Sequence, residues 1–385
     1  MPPQYLRIPG PTPLPDAVRE AGSEQMVGHR GPEFMELVKR CSVGMNPYFQ
    51  TKNDVMLITS SGSGGLEAAV VSFLSPGDPV LTVSIGNFGE RFGKIAKAYG
   101  ADVTMLEFEW GHAADPDAVR AAIRKMDTAG RSPKAVQVTY NETSTGVTNP
   151  LPVLAEAIRS EAPDTLILVD GVSAVGAVPM EQDAWDLDVV VTGSQKAWMI
   201  PPGLAMVAAS DRAWAAAETA TMPRFYFDLV KHRDVIGKGQ TPWTPAVGIF
   251  FQLDVALQLM AAEGRETIYA RHAACGAAAR AGLAAMGFEL FADQAYASNT
   301  VTSALVPDGT DWSALNGEFR AGGLQLAGGQ GKMKGRIFRI GHLGDATVED
   351  MVTALEIIEA GAIAIGLPVQ PGSGPGAARR AGEEA

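Results

Sequence analysis

The stretch VTGSQKAWMIPPG, residues 191–203, sets a single lysine, Lys196, between a β-branched run and a Pro-Pro-Gly break. Lysine is strongly hydrated and seldom lies inside a protein without a partner or a task. The residues just before it, DVVVT (188–192), are continuously apolar after the first instead of alternating. That is the pattern of a strand covered on both faces. Lys196 therefore stands just past the carboxyl end of a buried strand.

Six more runs read as strands: DVMLITS (54–60), PVLTVS (79–84), DVTMLEF (102–108), KAVQVTY (134–140), TLILVD (165–170) and LAMVAAS (204–210). Amphipathic stretches such as GERFGKIAKAYG and PDAVRAAIRKM separate most of them. Buried strands alternating with helices predict an α/β layered domain with a mostly parallel sheet flanked by helices. The spacing then changes. GIFFQLDVALQLMAAEG (248–264) and RHAACGAAARAGLAAMG (271–287) read as long helices. A strand-like SNTVTSALVP, a polar helix near 311–322, GRIFRIG (335–341) and a helix over about 347–362 follow. They predict a smaller α+β C-terminal domain. The expected division is a proline-rich arm over 1–20, a large domain over 21–262, a small domain over 263–365 and a flexible Gly/Pro/Ala-rich tail over 366–385.

The bulk composition narrows the function. The chain has 385 residues, 46% of them hydrophobic, and a net charge of −12. With no cluster of Lys and Arg to offset that charge, a nucleic-acid surface is not expected. The N-terminus lacks the apolar core of a signal peptide, and no apolar stretch is long enough for a membrane helix. Cys41 and Cys275 are too few for a disulfide framework, and the five histidines show no metal-ligand spacing, so a cytoplasmic protein without a metal is expected.

In open α/β sheets, ligands bind at the carboxyl ends of the parallel strands. Three polar features sit there: SSGSGG (60–65), Asp170 and Lys196. The first is a small-residue turn entering a helix. Its free N–H groups and hydroxyls suit a phosphate, although taken alone it reads as a tight turn with a Ser cap. Asp170 could cap the next segment or pair with a protonated ring nitrogen. Lys196 could lie at the surface, or be desolvated, with the lowered pKa that makes an amine nucleophilic. A phosphate cradle, an acid for a pyridinium and a carbonyl-binding lysine are together what pyridoxal phosphate requires.

At these residues, and over nearly the whole chain, the sequence resembles the class V aminotransferases of pyridoxal phosphate fold type I, near the serine–glyoxylate and alanine–glyoxylate enzymes. The motifs carrying the resemblance are NETSTGVTN (141–149), LVDGVSAVGA (168–177), TGSQKA (192–197), SNTVT (298–302) and FRIGHLG (338–344). The resemblance implies that Lys196 is the Schiff-base lysine and proton shuttle, and that Asp170 pairs with the pyridine nitrogen. It implies that Ser61, Gly62 and Ser63 hold the phosphate, helped by Gln195. Thr143 would lie near the phenolic oxygen, Val172 beneath the ring and Phe88 stacked on it. Thr244 in QTPWTP would reach the phosphate of a neighbouring subunit in a homodimer with shared sites. Some relatives carry Tyr three residues earlier, where this chain has Thr241. His29 and Arg30 resemble a segment that borders the partner's site.

Arg339 would clamp the substrate carboxylate, because a guanidinium fork matches a carboxylate bidentately. Arg336 is the competing candidate. The expected reaction moves an amino group from serine or alanine to glyoxylate, giving glycine and a 2-oxo acid. The alternatives are another class V enzyme, of the ureidoglycine–glyoxylate or cysteine desulfurase kind, and, from other classes, a nicotinamide-dependent oxidoreductase or a non-enzymatic interaction protein. A desulfurase needs a nucleophilic cysteine, and neither Cys41 nor Cys275 is placed for that in the sequence.

Overall fold

A computed structural model describes residues 5–385. All seven apolar runs form strands of one sheet: β1 (Val55–Ser60), β2 (Pro79–Ser84), β3 (Asp102–Glu107), β4 (Ala135–Thr139), β5 (Leu166–Asp170), β6 (Val189–Gly193) and β7 (Gly203–Ala209). Their order is β1-β7-β6-β5-β4-β2-β3. Strands β3, β2, β4, β5 and β6 pair in parallel. Strand β7 runs antiparallel to both β6 and β1. Chain length explains the exception. A parallel crossover takes a dozen or more residues. The Gly193–Gly203 link is shorter, so the chain must turn straight back, and Lys196 lies in that turn.

Successive strand residues enter two different cores, which is why the runs do not alternate. Leu57, Val83, Val138, Val169, Val190 and Met206 pack on one face. Phe34, Ile123, Leu154 and Phe250 of four helices cover them. Met56, Ile58, Val80, Leu168, Val191 and Val207 face the other way, against Leu66, Phe92 and Trp214. Strand β3 closes one edge and exposes Asp102 and Glu107, charges that discourage further pairing.

Helix Val247–Glu263 meets helix Arg265–Ala285 at Gly264, at 87°. Beyond it, β8 (Val301–Leu305), β9 (Ala327–Gly328) and β10 (Ile337–Gly341) form an antiparallel sheet in the order β8-β10-β9. Cys275, Leu283, Phe319, Phe338 and Leu355 give it a separate core. No single helix among the described residues is long and apolar enough to cross a membrane.

Both ends of the chain differ from expectation. The first four residues of the expected arm lie outside the described residues. Tyr5–Leu6 pairs in parallel with Leu324–Gln325, and helix Asp16–Ala21 packs on helix Val247–Glu263, so the rest of the arm is docked. The expected flexible tail instead contains helix Ser373–Glu384, packed on helices Arg265–Ala285 and Val348–Ala364. The small residues that suggest flexibility are what allow the close approach. A Cβ on Gly374 would fall 2.7 Å from Met286 Sδ, and Ala378 is fully buried. The Glu359 carboxylate accepts from the N–H groups of Gly372 (2.6 Å) and Gly374 (3.0 Å), fixing the helix start. Glu359→Ala should therefore lower stability by about 1–2 kcal/mol, seen as a lower urea midpoint with an unchanged slope. An unaltered midpoint would mean that this contact does not hold the terminal helix.

Candidate active site

The parallel strands deliver their carboxyl ends to one edge of the sheet. Strand β5 ends at Asp170, and β6 ends at Gly193, just before the turn holding Gln195 and Lys196. Register sets Asp170 beside Val191. Strand β1 ends at Ser60 and leads through Ser61 into helix Gly62–Phe73.

Lys196 is only 9% exposed. Burial and the charges of Arg339 and Arg91 pull its pKa down to about 8, while Asp170 opposes them. Its Nζ donates to the carbonyl oxygen of Pro9. Thr12 fixes the same segment, its N–H donating to Gln195 O (3.2 Å) and its Oγ1 to Lys196 O (3.1 Å). On the other side, Gly341 N–H donates to Arg7 O at 2.7 Å, and Arg7 pairs with Asp350. Residues 7–12 are therefore a strap between the lysine turn and β10. The sequence reading treated them as part of an arm. The signal available was Gly10, between two prolines: its φ is +121°, and a Cβ there would lie 2.9 Å from Lys196 Nζ.

Asp170 is buried, and desolvation pushes its pKa up to about 7, opposed by the Val172 N–H donated to its Oδ1 at 3.0 Å and by the Lys196 charge. A protonated ring nitrogen beside it would restore the carboxylate. Thr143 Oγ1 lies 2.8 Å from Ser173 Oγ, three residues beyond Asp170. Val172 Cγ2 would be 2.7 Å from a Cβ at Gly62, so the helix start sits directly against it.

Arg339, on β10, is buried and its pKa is lowered to about 10 by desolvation, with Glu142 opposing. Its Nη1 donates to Thr143 O (2.9 Å), and Nε (3.1 Å) and Nη2 (2.8 Å) donate to Gly328 O. Three of its five N–H groups are thus used, which leaves one on each terminal nitrogen for a further acceptor. Arg336 is exposed, ahead of β10.

Sequence reasoning passed over Glu142. Its fully buried carboxylate accepts from the N–H groups of Phe88 (3.0 Å), Gly89 (3.0 Å) and Ser144 (3.1 Å) and from Ser144 Oγ (2.5 Å). Burial pushes its pKa up, and these donors oppose the shift. The carboxylate pins the start of helix Asn87–Ala98, and with it Phe88, against the strand-end loops. Its position inside NETSTG was the only hint in the sequence.

Contacts thus join Lys196, Gln195, Asp170, Val172, Thr143, Gly62, Arg339 and Phe88 at one edge. Thr244 stands apart: it is exposed, and no hydrogen bond joins it to this group within the described chain. Arg30 donates to the carbonyls of Thr241 (2.7 Å) and Pro242 (3.3 Å), steadying the loop that carries Thr244, while His29 is half-buried. Thr241 Oγ1 is taken by Trp243 O. Both cysteines are buried; desolvation raises the Cys275 thiol to about 12 and pushes Cys41 up as well, so neither is a thiolate nucleophile.

The model of the family "Aminotransferase class-V" matches residues 4–331. A soluble hydrogenase small subunit of Synechococcus sp. is 41% identical over 97% of both chains. The serine–glyoxylate aminotransferase of Methylorubrum extorquens is 35% identical, covering 97% of this chain and 94% of its own. Among solved structures, the ureidoglycine–glyoxylate aminotransferase of Bacillus subtilis superposes with a TM-score of 0.93 at 31% identity, over 100% of this chain and 99% of that one. The chain belongs to the class V aminotransferases. It has fold type I, and its cofactor is pyridoxal 5′-phosphate.

The site fits that cofactor. Gln195 Oε1 is buried without a partner, and a Cβ on Gly193 would lie 3.3 Å from it and from Gly62 N. The bare backbone beside a helix start and a buried acid match a phosphate and a pyridinium, and the Gln195 amide has an Nε2 donor that a phosphate oxygen can accept from. Gly10→Ala would drive a methyl group into Lys196 and strain the strap. Its visible cofactor absorption band should weaken or shift while far-UV circular dichroism stays the same. An unchanged absorption spectrum would refute the close fit of strap and lysine.

Proposed function

We infer that this protein transfers the amino group of serine or alanine to glyoxylate, within a homodimer whose sites draw on both subunits. The observation that carries this reading is the convergence of a depressed lysine, a buried acid and an arginine fork on one sheet edge. Pyridoxal phosphate supplies an electron sink for the carbanion formed when the substrate loses its α-proton. The chain supplies the rest. Asp170 holds the ring nitrogen's proton. Arg339 offers two free N–H groups to the α-carboxylate, which amino acid and oxo acid share, so one clamp serves both half-reactions. Lys196 anchors the cofactor at rest; once free, a lysine with a pKa of about 8 can take and return a proton near neutral pH. Pro9 O is placed to orient that amine. Thr244, exposed on a loop steadied by Arg30, supports the reading that it serves a neighbouring subunit. The raised thiol pKa values argue against desulfuration.

The direct test is a screen of serine, alanine, aspartate and ureidoglycine as donors to glyoxylate, following glycine formation. Serine or alanine should give the highest kcat/KM; preference for another donor would overturn the donor assignment and leave the transaminase reading intact. Lys196→Ala should abolish turnover while non-covalent cofactor binding persists. Asp170→Asn should lower kcat about a hundredfold or more, or ~2.7 kcal/mol, and near-normal turnover would remove Asp170 from the proposed role.

The same reading assigns the carboxylate. Arg339→Lys should lower kcat/KM roughly ten- to a hundredfold for donor and acceptor alike, because the fork is lost. The slow reaction of amines lacking a carboxylate should barely change. Equal damage to those amines would mean that Arg339 acts by holding Thr143 and Gly328 instead.

A further inference from the structure

We propose that Arg91 is the cationic member of the cofactor's phosphate seat. The proposal rests on the pyridoxal phosphate reading above. The seat assembled so far is electrically neutral: Ser61 and Ser63 hydroxyls, the start of helix Gly62–Phe73 and the Gln195 amide. The Gly64 and Gly65 N–H groups are taken by Ser61 O at 2.9 and 3.2 Å, which leaves those of Gly62 and Ser63 for a ligand. A phosphate monoester carries nearly two negative charges at neutral pH. Partial charges at a helix start offset only part of that.

Arg91 supplies the missing charge. It lies one helical turn beyond Phe88 on helix Asn87–Ala98, so the two side chains share a face. Its guanidinium sits 4.7 Å from the centre of the Phe88 ring, and its Nη1 donates to Ser63 Oγ at 3.5 Å. It is half-buried, and no carboxylate pairs with it among the described residues. The other cations near the site have other tasks in this reading: Lys196 donates to Pro9 O, and Arg339, held by Gly328 and Thr143, is the carboxylate fork. An unpaired guanidinium leaning over an aromatic ring toward an open helix start is an anion receptor. Glu142 fixes the Phe88 backbone, and the Phe88 ring in turn fixes the angle from which Arg91 reaches Ser63.

The test compares pyridoxal phosphate with pyridoxal, which lacks the phosphate. Cofactor-free wild type, Arg91→Gln and Arg91→Lys would be titrated with each, following the visible absorption band. Arg91→Gln should weaken pyridoxal phosphate binding roughly ten- to a hundredfold, Arg91→Lys should weaken it less, and neither should change pyridoxal binding. Wild-type affinity should fall with salt more steeply than that of Arg91→Gln. Unchanged pyridoxal phosphate affinity in Arg91→Gln would overturn the proposal. So would equal losses for both compounds, because Arg91 would then act only through the Phe88 ring. A wild type that binds neither compound would instead overturn the cofactor reading itself, a different result from either.

Discussion

Burying the ammonium of Lys196 is the constraint around which the rest of the site is arranged. Taking such a charge out of water costs several kcal/mol unless partners replace the lost solvation. The apolar strands around it offer none, since Val189–Gly193 is buried throughout. Relief comes from the Pro9 carbonyl and from the field of Asp170. It is only partial, and the partial relief is useful. A lysine fully compensated by a bonded carboxylate would hold its proton and stay inert, whereas one left slightly short of solvation releases it near neutral pH.

The same economy binds the two sheets. Arg339 grows from β10, but two of its contacts are backbone carbonyls on opposite sides of the site: Gly328 in the small sheet's own strand β9 and Thr143 in the loop after β4. The strap over 7–12 makes a second bridge, hydrogen-bonded to Gly341 on one side and to Gln195 and Lys196 on the other. Groups that must meet a small substrate are thus fixed relative to each other by bonds that also join the two parts of the chain. Geometry held this way loses little entropy when substrate arrives.

What the sequence made legible followed from periodicity and from turn chemistry. Mostly continuous apolar runs marked the large-sheet strands, because in all but the edge strand β3 residues on both faces are buried in cores. Asp170 and Lys196 were visible because strand ends in α/β sheets are where polar groups gather. Glu142 and the strap were not visible as site features, for a shared reason: each acts through main-chain atoms. Pro9 contributes a carbonyl, and Glu142 collects backbone N–H groups, so neither leaves a side-chain pattern of its own. The terminal helix was misread because Gly, Pro and Ala signal flexibility only when nothing packs on them; here Met286 and Glu359 do. Thr244 is exposed and no hydrogen bond joins it to the site among the described residues, so its proposed role rests on the dimer reading and not on the fold of one chain.

Glu142 shows how a residue outside the chemistry can govern it. A carboxylate with no exposure is tolerable only if its oxygens are saturated, and the donors from Phe88, Gly89 and Ser144 do this at distances between 2.5 and 3.1 Å. A Cβ at Gly86 would strike its carboxyl carbon at 2.5 Å, so the chain before the helix is also shaped to admit it. The negative charge then has two directional effects. It draws in the start of helix Asn87–Ala98, where the dipole favours an anion, and that fixes Phe88 and, one turn on, Arg91 against the strand-end loops. It also helps keep the buried Arg339 protonated, since it is the group that opposes the desolvation of that guanidinium. One acid therefore supports both the helix that carries Phe88, through backbone N–H groups, and the guanidinium of Arg339, through its field.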